Sequence, residues 1–183
     1  MNRKKFIQQA TLAAGAMLSG PAIAEAADYF NPLKLTILHT NDTHSQLEPF
    51  PMDGGRNQGL GGIAGRGQLI NKIRSEEEHV LLLNSGDIFQ GTPYFNIYKG
   101  EPEIKAMATM KYDATTIGNH DFDAGMENLA TQLTRHANFP MLVCNYDFTS
   151  TPMENKTKPY TVLKKGKIKI GVLGVGIEAK GLI

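Results

Sequence analysis

Three short clusters of carboxylate, imidazole and amide side chains punctuate this sequence: Asn41-Asp42-Thr43-His44, Ser85-Gly86-Asp87 and Gly118-Asn119-His120-Asp121-Phe122-Asp123. Together these residue types supply the mixed oxygen and nitrogen donors that a first-row divalent cation accepts. Asp42 and His44 are one residue apart, so in an extended segment both side chains point the same way and can chelate one ion. Asp87 has two carboxylate oxygens, one for each of two ions. Asn119 offers a neutral carbonyl oxygen that binds metal without adding charge. Two ions about 3.5–4 Å apart would hold a hydroxide between them and neutralise a phosphoryl oxygen, and the reaction that fits is in-line attack on phosphorus. Taken singly, each cluster has a plainer reading. Asn41 and Asp42 are turn-forming residues, and Asp123 could cap a helix.

The elements around the clusters would bring them together. Leu35–His39 is β-branched and apolar and reads as a first strand. A loop rich in Pro, Gly and Asn leads to a helix over 62–78, with Ile63, Leu69, Ile70 and Ile73 towards one face. Val80–Asn84 is a continuous apolar run, as expected of a strand buried on both faces of a parallel sheet. Helices are expected over 103–110, with Pro102 in the first turn, and over 126–137. Strands are expected at 114–117 and 141–144, with a final pair, 160–165 and 168–175, turning at Gly166. The β-α-β-α-β-α-β order predicts an α/β fold with a mostly parallel core sheet and flanking helices. In such sheets functional groups gather beyond the C-terminal strand ends, where all three clusters fall. His39 is read as packed inside the first strand. Cys144, the only cysteine, is read as a small buried hydrophobe.

With those motifs in place, the chain resembles the calcineurin-like metallophosphoesterases, in particular their 5′-nucleotidase and UDP-sugar hydrolase branch. The resemblance rests on Leu38-His39-Thr40-Asn41-Asp42-Thr43-His44, Gly61-Gly62-Ile63-Ala64, Asn84-Ser85-Gly86-Asp87 and Gly118-Asn119-His120-Asp121-Phe122-Asp123, and runs from about residue 35 to 176. It implies a metallophosphoesterase α/β sandwich and metal-dependent hydrolysis of phosphate esters, chiefly nucleotides, with two divalent ions (Zn, Mn, Fe or Co). It implies that Asp42 and His44 bind the first ion, that Asp87 bridges both and that Asn119 binds the second. His120 would stabilise charge at the phosphate and Asp123 would hold it oriented and protonated. Many relatives have Glu where Asp121 stands, and no catalytic role is carried over to it.

The family completes its sites with later histidines in a Gly-His-x-His or Gly-His-x-Gln segment, yet none of the five histidines here lies beyond His136. A C-terminal substrate domain is also missing from the sequence. The expectation is therefore a truncated N-terminal part of the domain, residues 27–183, with an incomplete second metal site. It would hydrolyse phosphoesters in full or as half of an assembly, with a complementary C-terminal chain as one such partner, or else be a non-catalytic remnant that binds metal or a partner.

Composition sets the remaining bounds. A net charge of +1 over 183 residues argues against binding a nucleic-acid duplex. Arg3, Lys4 and Lys5 precede a mildly apolar stretch that ends in small residues at Ala22, Ala24 and Ala26, the layout of a secretory signal peptide over residues 1–26. Either twin-arginine-like or general export to the periplasm or cell envelope follows, with no membrane span in the mature protein. Cleavage after Ala24 removes three basic residues and no acidic ones, taking the charge from +1 to −2. Two glycine-rich runs have alternatives. Gly171-Val172-Leu173-Gly174-Val175-Gly176 lacks the dinucleotide-binding spacing. Gly59-Leu60-Gly61-Gly62 could cradle a phosphate at a helix start or permit close packing there.

Overall fold

The computed structural model describes Lys4 and residues 33–178. The signal-peptide reading of residues 1–26 falls outside the described residues apart from Lys4. The chain divides into two units, Met1–Lys34 and Leu35–Ile183, and the account below concerns the second.

Its main sheet has five strands in the order β1-β2-β3-β4-β5, every neighbouring pair parallel. β1 (Thr36–Thr40) lies in full register with β2 (Val80–Asn84). Between them runs α1 (Ile63–Glu76). After β2 come α2 (Pro93–Tyr98) and α3 (Glu101–Thr109), then β3 (Ala114–Thr115). A 3₁₀ turn at His120–Phe122 leads to α4 (Met126–His136) and β4 (Met141–Leu142). β5 (Thr157–Lys158) completes the sheet, and β6 (Tyr160–Lys165) pairs antiparallel with β7 (Ile168–Leu173) as a separate hairpin. This is the α/β fold with a mostly parallel sheet that the alternation of elements predicts.

Packing explains where the structure departs from expectation. Val80, Leu81 and Leu82 are all buried, as a strand covered on both faces requires. In α1 only Ile70 is fully buried, and Leu69 is 58% exposed because the next residue along a helix turns about 100° away from the contact stripe. β3 and β4 are shorter than their apolar runs, the ladder between them comprising the single pair Thr115↔Met141. Beyond β4 the chain departs from the core, so Cys144 is exposed, not buried as expected, although Val143 before it is buried. His39 is likewise exposed, because β1 alternates half-buried and exposed positions along its length. α2 and β5 have no counterpart among the expected elements. The core gathers Leu82, Ile88, Phe89, Ile104, Ile117, Leu129 and Met141 from strands, helices and the turns between them.

Among the described residues no helix is long and apolar enough to cross a membrane.

Candidate metal centre

The parallel register of β1 and β2 continues past the strand ends. Ser85 N–H donates to the Thr40 carbonyl, Asp42 N–H to Gly86, His44 N–H to Asp87 and Ser45 N–H to Ile88, at 2.9–3.1 Å. The first two clusters are thus fastened to each other by main chain. The segment is not extended, as the one-residue spacing suggests it should be: φ is 50° at Asp42, 43° at His44, 53° at Ser45 and 50° at Asp87. Non-glycine residues persist in this left-handed region only where surrounding contacts over-determine them, and such residues cluster at functional sites. Asp42 and His44 nonetheless meet, with His44 Nε2 3.8 Å from Asp42 Oδ1.

Beneath the corner lies Asn84, 5% exposed. Its amide donates to Thr40 Oγ1 (3.0 Å), and its carbonyl accepts from Gly86 N–H and Thr115 Oγ1 (both 2.8 Å). Thr40 Oγ1 also shares a hydrogen bond of 2.9 Å with the Tyr112 hydroxyl. One amide side chain thereby ties the ends of β1, β2 and β3 together.

The third cluster docks by two routes. His120 N–H donates to Asp87 Oδ1 at 2.9 Å. Asp121, fully buried, accepts from Ile88 N–H (2.8 Å) and Phe89 N–H (3.2 Å) on one oxygen, and from Gly118 N–H (2.9 Å) and Asp87 N–H (3.1 Å) on the other. Burial raises the Asp121 carboxyl to about 6; the main-chain donors oppose the shift and the Asp87 charge adds to it. Gly118 is required by close approach, since a Cβ there would stand 2.1 Å from Asp87 Oδ1. The sequence assigns Asp121 no role in catalysis and none in structure. Its position as the clasp between two strand ends has no signature in residue type alone, because it depends on four N–H groups, three of them from a distant segment.

Among the described residues, one group of carboxylates and imidazoles has ligand atoms close enough for a metal: Asp42, His44 and Asp87, all within 4.8 Å of one another. Two carboxylates and one imidazole match the donor set of a borderline divalent cation, so these residues fit the ion that the motifs imply. Asn119 stands at the same corner, between Gly118, bound to Asp121, and His120, bound to Asp87. The His120 ring lies edge-on to His44 with centroids 5.2 Å apart. Its Nδ1 is 2.9 Å from Asp123 Oδ2. That hydrogen bond raises the imidazole above its ordinary value; burial opposes it, and the charges of Asp123, Asp87 and Asp121 add to the rise. The capping alternative for Asp123 does not hold: α4 is capped by Gly125 with no side-chain hydrogen bond. His39, His79 and His136 are not part of the cluster.

Gly62 opens α1 at φ 79°, where a Cβ would collide with Pro49 at 2.8 Å. Close packing at the helix start therefore accounts for that glycine.

Known proteins share this sequence pattern and fold. The chain is 40% identical over 159 residues to the snake venom 5′-nucleotidase of Crotalus adamanteus, covering 84% of this chain and 26% of the relative. It is 39% identical to the 5′-nucleotidase of Homo sapiens, covering 77% and 26%. The chain thus spans about a quarter of the length of these relatives. Among solved structures it is similar to a 5′-nucleotidase precursor from Thermus thermophilus (TM-score 0.72, 36% identity, 78% of this chain and 28% of that one). It is also similar to the Haemophilus influenzae NAD nucleotidase (TM-score 0.70, 33% identity, 79% and 30%). A model of the calcineurin-like phosphoesterases matches residues 35–177, and with the motifs seated at the strand ends of a parallel sheet, the chain belongs to that family.

Proposed function

We propose that this chain carries the metal-binding part of a phosphoesterase acting on nucleotides. The observation that carries the reading is the convergence of Asp42, His44 and Asp87 within 4.8 Å at the ends of two adjacent parallel strands. Asp42 and His44 would hold a first divalent ion, and Asp87 and Asn119 are the residues that would serve a second. When bound, the ions supply Lewis acidity at phosphorus and lower the pKa of water. His120, oriented by Asp123 with its imidazole pKa raised by that contact, stands beside His44, where it would stabilise charge on the phosphoryl group or its leaving oxygen. The similarity to 5′-nucleotidases supports a nucleoside monophosphate as substrate, and the basic and small-residue layout of residues 1–26 supports export to the periplasm or cell envelope.

The test is phosphate release from AMP by the purified chain, with chelator and then with added Mn²⁺ or Zn²⁺. Metal-stimulated release that Asp87→Asn abolishes is the expected result; release that is indifferent to both chelator and Asp87→Asn would exclude the reading.

A second reading is a metal-binding half that works with a complementary chain. It is favoured by the apolar outer surface of the hairpin and the segment after it, where Tyr160, Val162, Leu173 and Val175 are each more than 60% exposed. Sedimentation of the chain alone and mixed with the C-terminal portion of a relative measures this directly. Failure of the two to associate would remove it.

A further inference from the structure

A small cavity of about 10 Å³ adjoins the loop that carries His44, lined by Thr43, Ser45, Gln46, Arg66, Glu103 and Met107 among others. Glu103 reaches it from the first turn of α3 and is 3% exposed; Ser45 is 1% exposed. Neither carboxylate oxygen of Glu103, nor the Ser45 hydroxyl, has a partner in hydrogen-bond geometry. Burial pushes the Glu103 carboxyl up, and contacts from the Ser45 hydroxyl and from Glu103's own main-chain N–H, close but outside hydrogen-bond geometry, pull it part of the way back. Buried polar groups are almost always paired, and leaving them unpaired is costly. A leucine or methionine at 103 would meet the packing need without that cost. The volume suits one water molecule, which needs two to four polar partners.

The consequence lies one residue away. His44 and Ser45 both have left-handed backbone. The Ser45 main chain is already pinned on both sides, its N–H donating to Ile88 O (2.9 Å) and its carbonyl accepting from Thr92 Oγ1 (2.9 Å) and Leu47 N–H (2.8 Å). The Ser45 side chain is the remaining handle on that strained turn. We propose that the cavity binds a single water bridging Glu103 to Ser45, and that Glu103 is thereby a positioning residue that holds the His44 turn in its ligating conformation. The effect on metal affinity rests on the metal-centre reading above; the effect on the turn does not.

The experiment is amide hydrogen exchange on the full 183-residue chain, with Glu103→Leu, Glu103→Gln, Ser45→Ala and the Leu/Ala double variant, and a parallel Mn²⁺ titration by calorimetry. Glu103→Leu is expected to speed exchange at His44 and Ser45 about tenfold relative to global unfolding and to weaken Mn²⁺ binding by about the same factor, as outer partners of ligands commonly do. Glu103→Gln, which can still bond a water, should stay within about threefold of wild type on both readouts. Ser45→Ala should reproduce Glu103→Leu, and the double variant should add nothing, because both remove one shared bridge. Wild-type exchange at His44 and Ser45 in Ser45→Ala overturns the proposal, even if Glu103→Leu fails to fold. So do fully additive effects in the double variant. A wild-type chain that takes up no Mn²⁺ would sink the metal reading, and the exchange measurement would still decide the role of Glu103.

Discussion

Asp121→Ala offers the sharpest test of how the site is built. The wild-type carboxylate receives four main-chain N–H groups, from Asp87, Ile88, Phe89 and Gly118, and no solvent reaches it. Alanine leaves all four donors without their acceptor. At about 1–3 kcal/mol for each buried unsatisfied group, the gross loss is roughly 4–12 kcal/mol. The rise of the carboxyl to about 6 works the other way: ionising it at neutral pH costs about 3 kcal/mol that alanine no longer incurs. The difference is centred near 5 kcal/mol, the same order as the whole stability of a small domain at about 5–15 kcal/mol. Urea unfolding at pH 7, followed by circular dichroism, measures it. With a slope of roughly 2 kcal/mol per molar urea, a loss of about 5 kcal/mol lowers the midpoint by about 2.5 M. Amide exchange should accelerate first at Ile88, Phe89 and Gly118. A stability within about 0.5 kcal/mol of wild type, the range of an ordinary surface change, would refute the claim that this buried carboxylate clasps the two strand ends.

Other outcomes follow from the same geometry. Asp123→Asn removes the partner that raises His120, so an NMR titration should show the His120 imidazole losing its proton at lower pH than in wild type. The sign for stability follows: the raised native value means the pair's contribution is complete below the ordinary histidine range and is lost as pH rises through the native pKa, so wild type and Asp123→Asn should converge in stability at alkaline pH. Gly118→Ala drives a methyl group into Asp87, its Cβ 2.1 Å from Oδ1 and 2.5 Å from the main-chain nitrogen. Overpacking of this kind costs about 1–3 kcal/mol, and metal uptake measured by calorimetry should fall by at least about tenfold, since a ligand displaced by a fraction of an ångström loses its geometry. Cys144 is exposed, so a thiol reagent should label the native chain to completion without denaturant, at a rate unchanged by added urea below the unfolding transition.

Much of the architecture is legible in the residues because it follows from local rules. The apolar run Val80–Asn84 forms β2 with those same bounds, because five consecutive residues suited to burial leave little choice but a strand covered on both faces. Pro102 falls in the first turn of α3, where its missing N–H costs nothing. The placement of Asp42, His44, Asp87 and the His120 segment just after successive strands is likewise a matter of sequence order, and a parallel sheet turns that order into proximity. What sequence order leaves open is anything that depends on the far side of a contact. Cys144 and Val143 look alike in an apolar run, yet one is exposed and the other buried, because the ladder ends at Leu142. His39 sits among strand formers and still faces out. Asp42 and His44 are brought together by a left-handed turn laced to Gly86 and Asp87, and not by the extended backbone that their spacing suggests. Asp121 and Glu103 are both buried carboxylates, one with four donors and one with none in bonding geometry. Residue type determines what a side chain can bond to; only the folded chain decides which N–H groups reach it, because most of the donors to Asp121 come from a segment more than thirty residues away in sequence.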